Sequence, residues 1–122
     1  MAPSRSTHCT IVNNTSLTLN LKGSGCDHGR WTLNFGPSDT ANTIPPNDKK
    51  SFQAESAGVM TGDQGWVTYG SAAGDFNFTF NNPFSGSNGY SDTPAKDYNI
   101  KRDGGDGNDA RVTWTIRGSH HY

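Results

Sequence analysis

GWVTYGSAAGDFNFTFNNPF, residues 65–84, is the stretch whose reading decides the fold. Trp66-Val67-Thr68-Tyr69 is bounded by Gly65 and Gly70, and Phe76, Phe78 and Phe80 alternate with Asn77 and Thr79 between Gly74-Asp75 and Pro83. Alternation with period two marks a strand with one apolar face, because successive side chains of an extended chain point to opposite sides. The same pattern recurs on either side of this stretch. Cys9 and Ile11, then Leu17, Leu19 and Leu21, place apolar side chains on one face, with Asn13-Asn14 as the expected turn between two strands. Trp31, Leu33 and Phe35 form the next set, stopped by Gly36-Pro37, and a polar loop runs from Thr40 to Pro46. Phe52 and Ala54 mark a strand after the Asn47-Asp48 turn pair. Tyr98 with Ile100, and Ala110, Val112, Trp114 with Ile116, flank a hairpin loop rich in Asp and Gly between Asp103 and Asp109. No segment keeps an i, i+3, i+4 pattern. The expectation is an all-β fold: a compact antiparallel β-sandwich of about eight strands with little or no helix.

Composition agrees with that reading. Residues 1–122 fit one domain, and 15 glycines and 6 prolines cut the chain into short elements. Residues 1–7 and 118–122 are expected to be loose, and the RGSHHY end resembles a tag remnant, so His120, His121 and Tyr122 carry no functional weight. Formal charge is −1, from 10 basic and 11 acidic residues, and the basic pairs Lys49-Lys50 and Lys101-Arg102 are not extended. Nucleic acid is therefore not an expected partner, and a membrane would be recognised by headgroup chemistry instead of bulk charge. No apolar run approaches the 18 or so residues of a spanning helix, and no signal peptide is evident, which leaves cytosolic residence, export by another route, or a sequence that starts at the mature protein.

Residue types that carry chemistry are few. His8 and His28 neighbour no nucleophile motif, and Ser85-Gly86-Ser87-Asn88-Gly89 lacks the helix that a nucleophile elbow requires, so an enzyme is not expected. Asp103, Asp106, Asn108 and Asp109 miss the spacing of a calcium loop, and His8, Cys9, Cys26 and His28 miss that of a zinc finger, so no metal and no cofactor is expected. Cys9 and Cys26 are compatible either with a bridge contributing roughly 3 kcal/mol or with two reduced thiols. Phe84 and Tyr90 stand out, since they sit in a Pro-, Gly-, Ser- and Asn-rich segment that strand pairing buries poorly. Aromatic faces attract quaternary ammonium groups, and Tyr and Trp suit the bilayer interface.

Gly65–Tyr69, Phe80-Asn81-Asn82-Pro83-Phe84 and Asn88-Gly89-Tyr90-Ser91 resemble a run in the actinoporin-like β-sandwich superfamily, which includes the actinoporins, the aegerolysins and, by fold, the fungal fruit-body lectins. In actinoporins a similar strand is followed by one ending Phe-Ser-x-Pro-aromatic, then an Asn and a Tyr-Ser. In aegerolysins the corresponding strand ends Trp-Asp-Cys-Pro-Trp-Gly-Ser. Ile11–Ser16 and Ile44–Lys49 extend the similarity, which loosely covers residues 8 to 117. Pro83 and Tyr90 match positions that help line a phosphocholine pocket in actinoporins, Asn81 replaces a serine, and Phe84 keeps the aromatic after the proline. The later tyrosine cluster of that pocket has no counterpart, and Phe80, Asn82 and Phe84 replace the Trp, Cys and Trp of aegerolysins.

The resemblance implies a secreted or peripheral protein that binds a sphingolipid or phospholipid headgroup at a membrane surface. Tyr90 would donate to a phosphate oxygen, Asn81, Ser85 and Asn88 would complete the hydrogen bonding, and Trp66 or Tyr69 would assist Phe84 at the interface. Met1–Thr7 lacks the amphipathic face of a pore-forming helix, so the resemblance further implies binding without perforation unless a pore-forming partner protein takes part. A carbohydrate-binding lectin of the same fold uses the same residue types on a glycan. A small effector with no small ligand is the third alternative, for which the aromatics would be buried.

Overall fold

Strand alternation of the kind read above builds two five-stranded sheets in a computed structural model that describes residues 3–119. One sheet has the order β3 (Arg30–Trp31), β5 (Lys49–Glu55), β1 (Ser6–Asn14), β10 (Asp109–Gly118), β9 (Tyr98–Gly104). The other has the order β4 (Thr43–Ile44), β2 (Leu19–His28), β6 (Asp63–Ser71), β7 (Gly74–Asn82), β8 (Gly89–Thr93). A four-residue helix, α1 (Pro37–Thr40), is the one helix among the described residues. The sandwich is thus the expected all-β architecture, with ten strands, two of which are only two residues long.

Inward-facing residues of both sheets meet in the middle. Ile11, Phe52, Val112, Trp114 and Ile116 from the first sheet pack on Leu19, Val67, Tyr69, Phe76, Phe78 and Phe80 from the second, all at most 1% exposed. Phe78 and Trp114 bridge the layers with ring centroids 5.1 Å apart. Each such side chain contributes about 1.5–3 kcal/mol relative to remaining in water, so this face sets the register of every strand.

The structure corrects the sequence reading in several places. Asn13-Asn14 is not a turn: Asn13 lies inside β1, pairs with Ile116 and is fully buried, and the chain crosses to the other sheet through residues 15–18. β1 and β10 run parallel, the one departure from antiparallel pairing in either sheet among the described residues. Ser6 and Thr7, expected in a loose lead-in, already pair with Glu55 and Ala54 on one side and Asp109 and Ala110 on the other. At the far end Gly118 still belongs to β10, whereas the proposed tag remnant at residues 120–122 lies outside the described residues. The Trp31–Phe35 alternation yields only the two residues of β3. Asn34 adopts a left-handed φ of 69°, which ends the extended run and leaves Leu33 and Phe35 82% and 53% exposed.

Candidate functional site

One end of the sandwich gathers most of the residues singled out by sequence. The start of β1, the β2–β3 turn, the β5–β6 loop (residues 56–62), the β7–β8 loop (83–88) and the β9–β10 loop (105–108) all open at this end. A cleft of about 440 Å³ lies there, lined by Asn81, Pro83 and Phe84 on one side and by His28, Met60 and Asp63 among others. A smaller hollow of about 240 Å³ continues from Pro83 to Asn88, with Arg5 and Asn108 in its wall.

Phe84 is fixed from below. The Arg5 guanidinium lies 4.6 Å from the Phe84 ring centroid and donates to the carbonyl oxygens of Pro83 at 3.3 Å and Phe84 at 2.5 Å. A charged donor to two consecutive carbonyls, with the ring stacked on it, holds the β7–β8 loop to the start of β1. Gly62 brings the neighbouring loop into contact, since a Cβ there would approach the Asn82 carbonyl oxygen to 2.4 Å and the Pro83 Cα to 2.7 Å. The β5–β6 loop is therefore pinned beside Phe84 at its base while its tip projects.

That tip carries Val59 and Met60, which are 74% and 67% exposed. Met60 has a φ of 57°, unusual for a non-glycine residue, and Thr61 Oγ1 closes the turn by donating to the Gly58 carbonyl oxygen at 2.9 Å. No residue from 56 to 62 is charged. Sequence reasoning missed this feature because two adjacent apolar residues have no period; the available signal was their place between Gly58 and Gly62, where a loop is ordinarily polar.

The other expected site residues divide. Ser85 is exposed, and Asn88 is half-buried with its Nδ2 donating to Gly105 and Gly107 carbonyl oxygens at 2.8 and 2.9 Å. Trp66 is 37% exposed on the outer face of the second sheet, with its indole over Gly23 and Gly25 of β2. Tyr69 does not belong to a surface site: it faces inward, is fully buried, and donates to the Ala41 carbonyl oxygen at 2.7 Å. Tyr90 is likewise not a loop aromatic. It lies in β8 opposite Phe80, so strand parity turns it to the core face, where it packs edge-on against Trp114 at 6.1 Å. Its hydroxyl donates to the Gly105 carbonyl oxygen at 2.7 Å, and burial above all pushes its pKa up to about 12. The hydroxyl expected from sequence to donate to a phosphate thus donates to the backbone in this structure.

Electrostatically the end is mixed. Asp63 is 1% exposed, and burial raises its pKa to about 6 against the opposing hydrogen bond from Thr7. Arg30 pairs with Glu55 at 2.9 Å. Cys9 and Cys26 are both free thiols, so the bridge left open by sequence is not formed; burial pushes Cys9 well up and Cys26 to about 12, which keeps both protonated at neutral pH.

The fold is that of a known class of structure. The crystal structure of the lipid-binding protein Nakanori matches with a TM-score of 0.77 at 14% identity, over 93% of this chain and 71% of that one. At that identity the likeness establishes the fold and carries no residue across. In sequence, an uncharacterized protein of Dictyostelium discoideum is 34% identical over 116 residues, 93% of this chain but only 10% of that protein. The chain thus spans about a tenth of the length of this curated relative. No protein-family model matches the sequence.

Proposed function

We propose that this domain binds the headgroup of a membrane sphingolipid or phospholipid through its loop end, as a binding protein and not as an enzyme. The observation that carries the reading is the uncharged Val59–Met60 tip standing beside a cleft of about 440 Å³ walled by Asn81, Pro83 and Phe84. Inserting the two side chains into the bilayer interface would contribute about 3 kcal/mol, on the order of a hundredfold in apparent affinity. The cleft then sits at headgroup level, with the Asn81 amide for polar contacts and the Phe84 face for an ammonium group. Ser85 and Asn88 rim the adjoining loop, and Trp66 supplements the interface from the outer face. Support from outside comes from Nakanori, a lipid-binding protein with the same fold. The reading assigns binding alone to this domain and perforation to a separate pore-forming partner. Flotation with sphingomyelin, ceramide phosphoethanolamine and phosphatidylcholine vesicles tests the reading: binding to one headgroup class, weakened at least tenfold by Phe84→Ala, is expected, and no binding to any of them would contradict it.

A glycan-binding reading is favoured by one observation, the Trp66 indole packed over Gly23 and Gly25 in a residue that remains 37% exposed. Pyranose rings stack on such faces. Sugar binding on a glycan array that Trp66→Ala removes, without vesicle binding, would replace the lipid reading with this one.

A further inference from the structure

Two buried oxygens at the base of the loop end have no hydrogen-bond donor. Asp63 opens β6, Asn82 closes β7, and the two are directly paired across the ladder. Their side chains therefore leave the sheet on the same inner face, with Cβ atoms about 4.5–5.5 Å apart. Both residues are 1% exposed. Asp63 Oδ1 accepts from Thr7 Oγ1 at 2.6 Å, and Asn82 Nδ2 donates to the carbonyl oxygens of Ser6 and Asn108 at 3.0 and 2.9 Å. Those two carbonyls fix the amide the right way round, because only the NH2 group can serve them. Asp63 Oδ2 and Asn82 Oδ1 are left over, buried and unpartnered.

An ionised carboxylate and an amide oxygen are both acceptors, so neither can satisfy the other. A buried acceptor without a donor is costly, and a carboxylate more so. One proton removes both deficits at once. We propose that Asp63 is a proton-binding site whose neutral carboxyl donates from Oδ2 to Asn82 Oδ1, clipping β6 to β7 beneath the candidate site. The proton comes from solvent and no other co-reactant is needed.

The clip reaches beyond the pair. Asn82 holds Asn108 of the β9–β10 loop, and Gly105 of the same loop accepts from both Asn88 and the Tyr90 hydroxyl. Protonation at Asp63 therefore tightens the β7–β8 and β9–β10 loops together. The groups felt at Asp63 are Thr7 and Cys9 on β1, Cys26 on β2, Glu55 on β5, Asn82 on β7 and Tyr90 on β8, with His28 in the wall of the same cleft. None of those that contribute a charge to its titration is a cation: Glu55 adds to the upward push of burial, and Thr7 alone pulls downward.

The sign follows from linkage. The folded-state pKa of Asp63, about 6, lies above its ordinary value of 3.8, so the native state holds this proton more tightly than the unfolded chain. Its contribution to stability is complete below the unfolded value and is lost as pH rises through the folded one.

The direct test is a carboxyl carbon NMR titration of the labelled chain, with the Asp63 resonance assigned by through-bond correlation. A midpoint shifted up to near 6 is expected, and Thr7→Val, which removes the one donor to the ionised form, should move it higher still. A midpoint at or below the ordinary carboxylate value overturns the proposal, as does a downward shift in Thr7→Val. Urea midpoints supply a second readout. The wild type should be more stable at about pH 5 than at about pH 7.5, and Asp63→Asn, which supplies an amide donor at every pH, should flatten that difference. His28→Gln should leave it in place; a difference that disappears with His28→Gln and survives Asp63→Asn assigns the proton elsewhere. Neither measurement contains a lipid, so the proton site and the lipid reading stand or fall separately.

Discussion

The two ends of the sandwich treat buried polar side chains in opposite ways. At the end formed by the close of β1 and the start of β2, Asn13 is fully buried and fully used. Its Nδ2 donates to the carbonyl oxygens of Leu17, Ile44 and Pro45 at 2.8, 3.3 and 3.0 Å, and its Oδ1 accepts from Thr15 Oγ1 at 2.6 Å. At the other end Asp63 and Asn82 are buried to the same degree, and each keeps one oxygen without a partner. The difference extends to the surface, since the exposed Val59–Met60 tip belongs to the second end. At the first end the buried amide is satisfied at every pH by fixed partners, whereas at the second the satisfaction of the pair depends on the proton proposed for Asp63.

Substitutions can break this contrast, and the largest effect belongs to the first end. Asn13→Ala strands three carbonyl groups and a threonine hydroxyl, and should cost about 2–4 kcal/mol in urea unfolding. A cost under about 1 kcal/mol would mean that the two ends do not differ. Tyr90→Phe tests the second end more gently: it removes one hydroxyl bond to Gly105 and should cost about 1 kcal/mol with vesicle binding intact. Loss of vesicle binding in Tyr90→Phe at unchanged stability would restore the direct role that sequence alone had given that hydroxyl. The smallest effect is expected at the exposed Lys22–Asp75 pair, 2.9 Å apart and outside the contrast altogether, where Asp75→Asn should change stability by less than about 0.5 kcal/mol.

The core was readable from sequence because it rests on one period. Phe76, Phe78 and Phe80, and Val112, Trp114 and Ile116, alternate without interruption, and all six are buried. The parallel pairing of β1 with β10 was not readable, since the ladder joins strands about a hundred residues apart and no local residue records its direction. Trp31, Leu33 and Phe35 show the limit of alternation: a single left-handed residue, Asn34, turns an apparent strand into an exposed bend.

At the site the division is similar. Asn81, Pro83 and Phe84 reach the cleft, but Tyr90 could not be placed without knowing that the chain returns after the β7–β8 loop to pair with Phe80. Asp63 and Asn82 become neighbours only through the β6–β7 hairpin register, which follows once the turn at Ala72-Ala73 is located. Their burial depends on the second sheet, which a hairpin cannot reveal.

The central claim is that the loop end meets a lipid surface tip first. Vesicle co-sedimentation of the wild type against the double variant Val59→Ser, Met60→Asn tests it most directly, asparagine being chosen because it tolerates the left-handed φ at position 60. The account predicts a loss of affinity of at least about tenfold with thermal stability little changed, since both side chains are mostly exposed. Equal binding by the two proteins would contradict it.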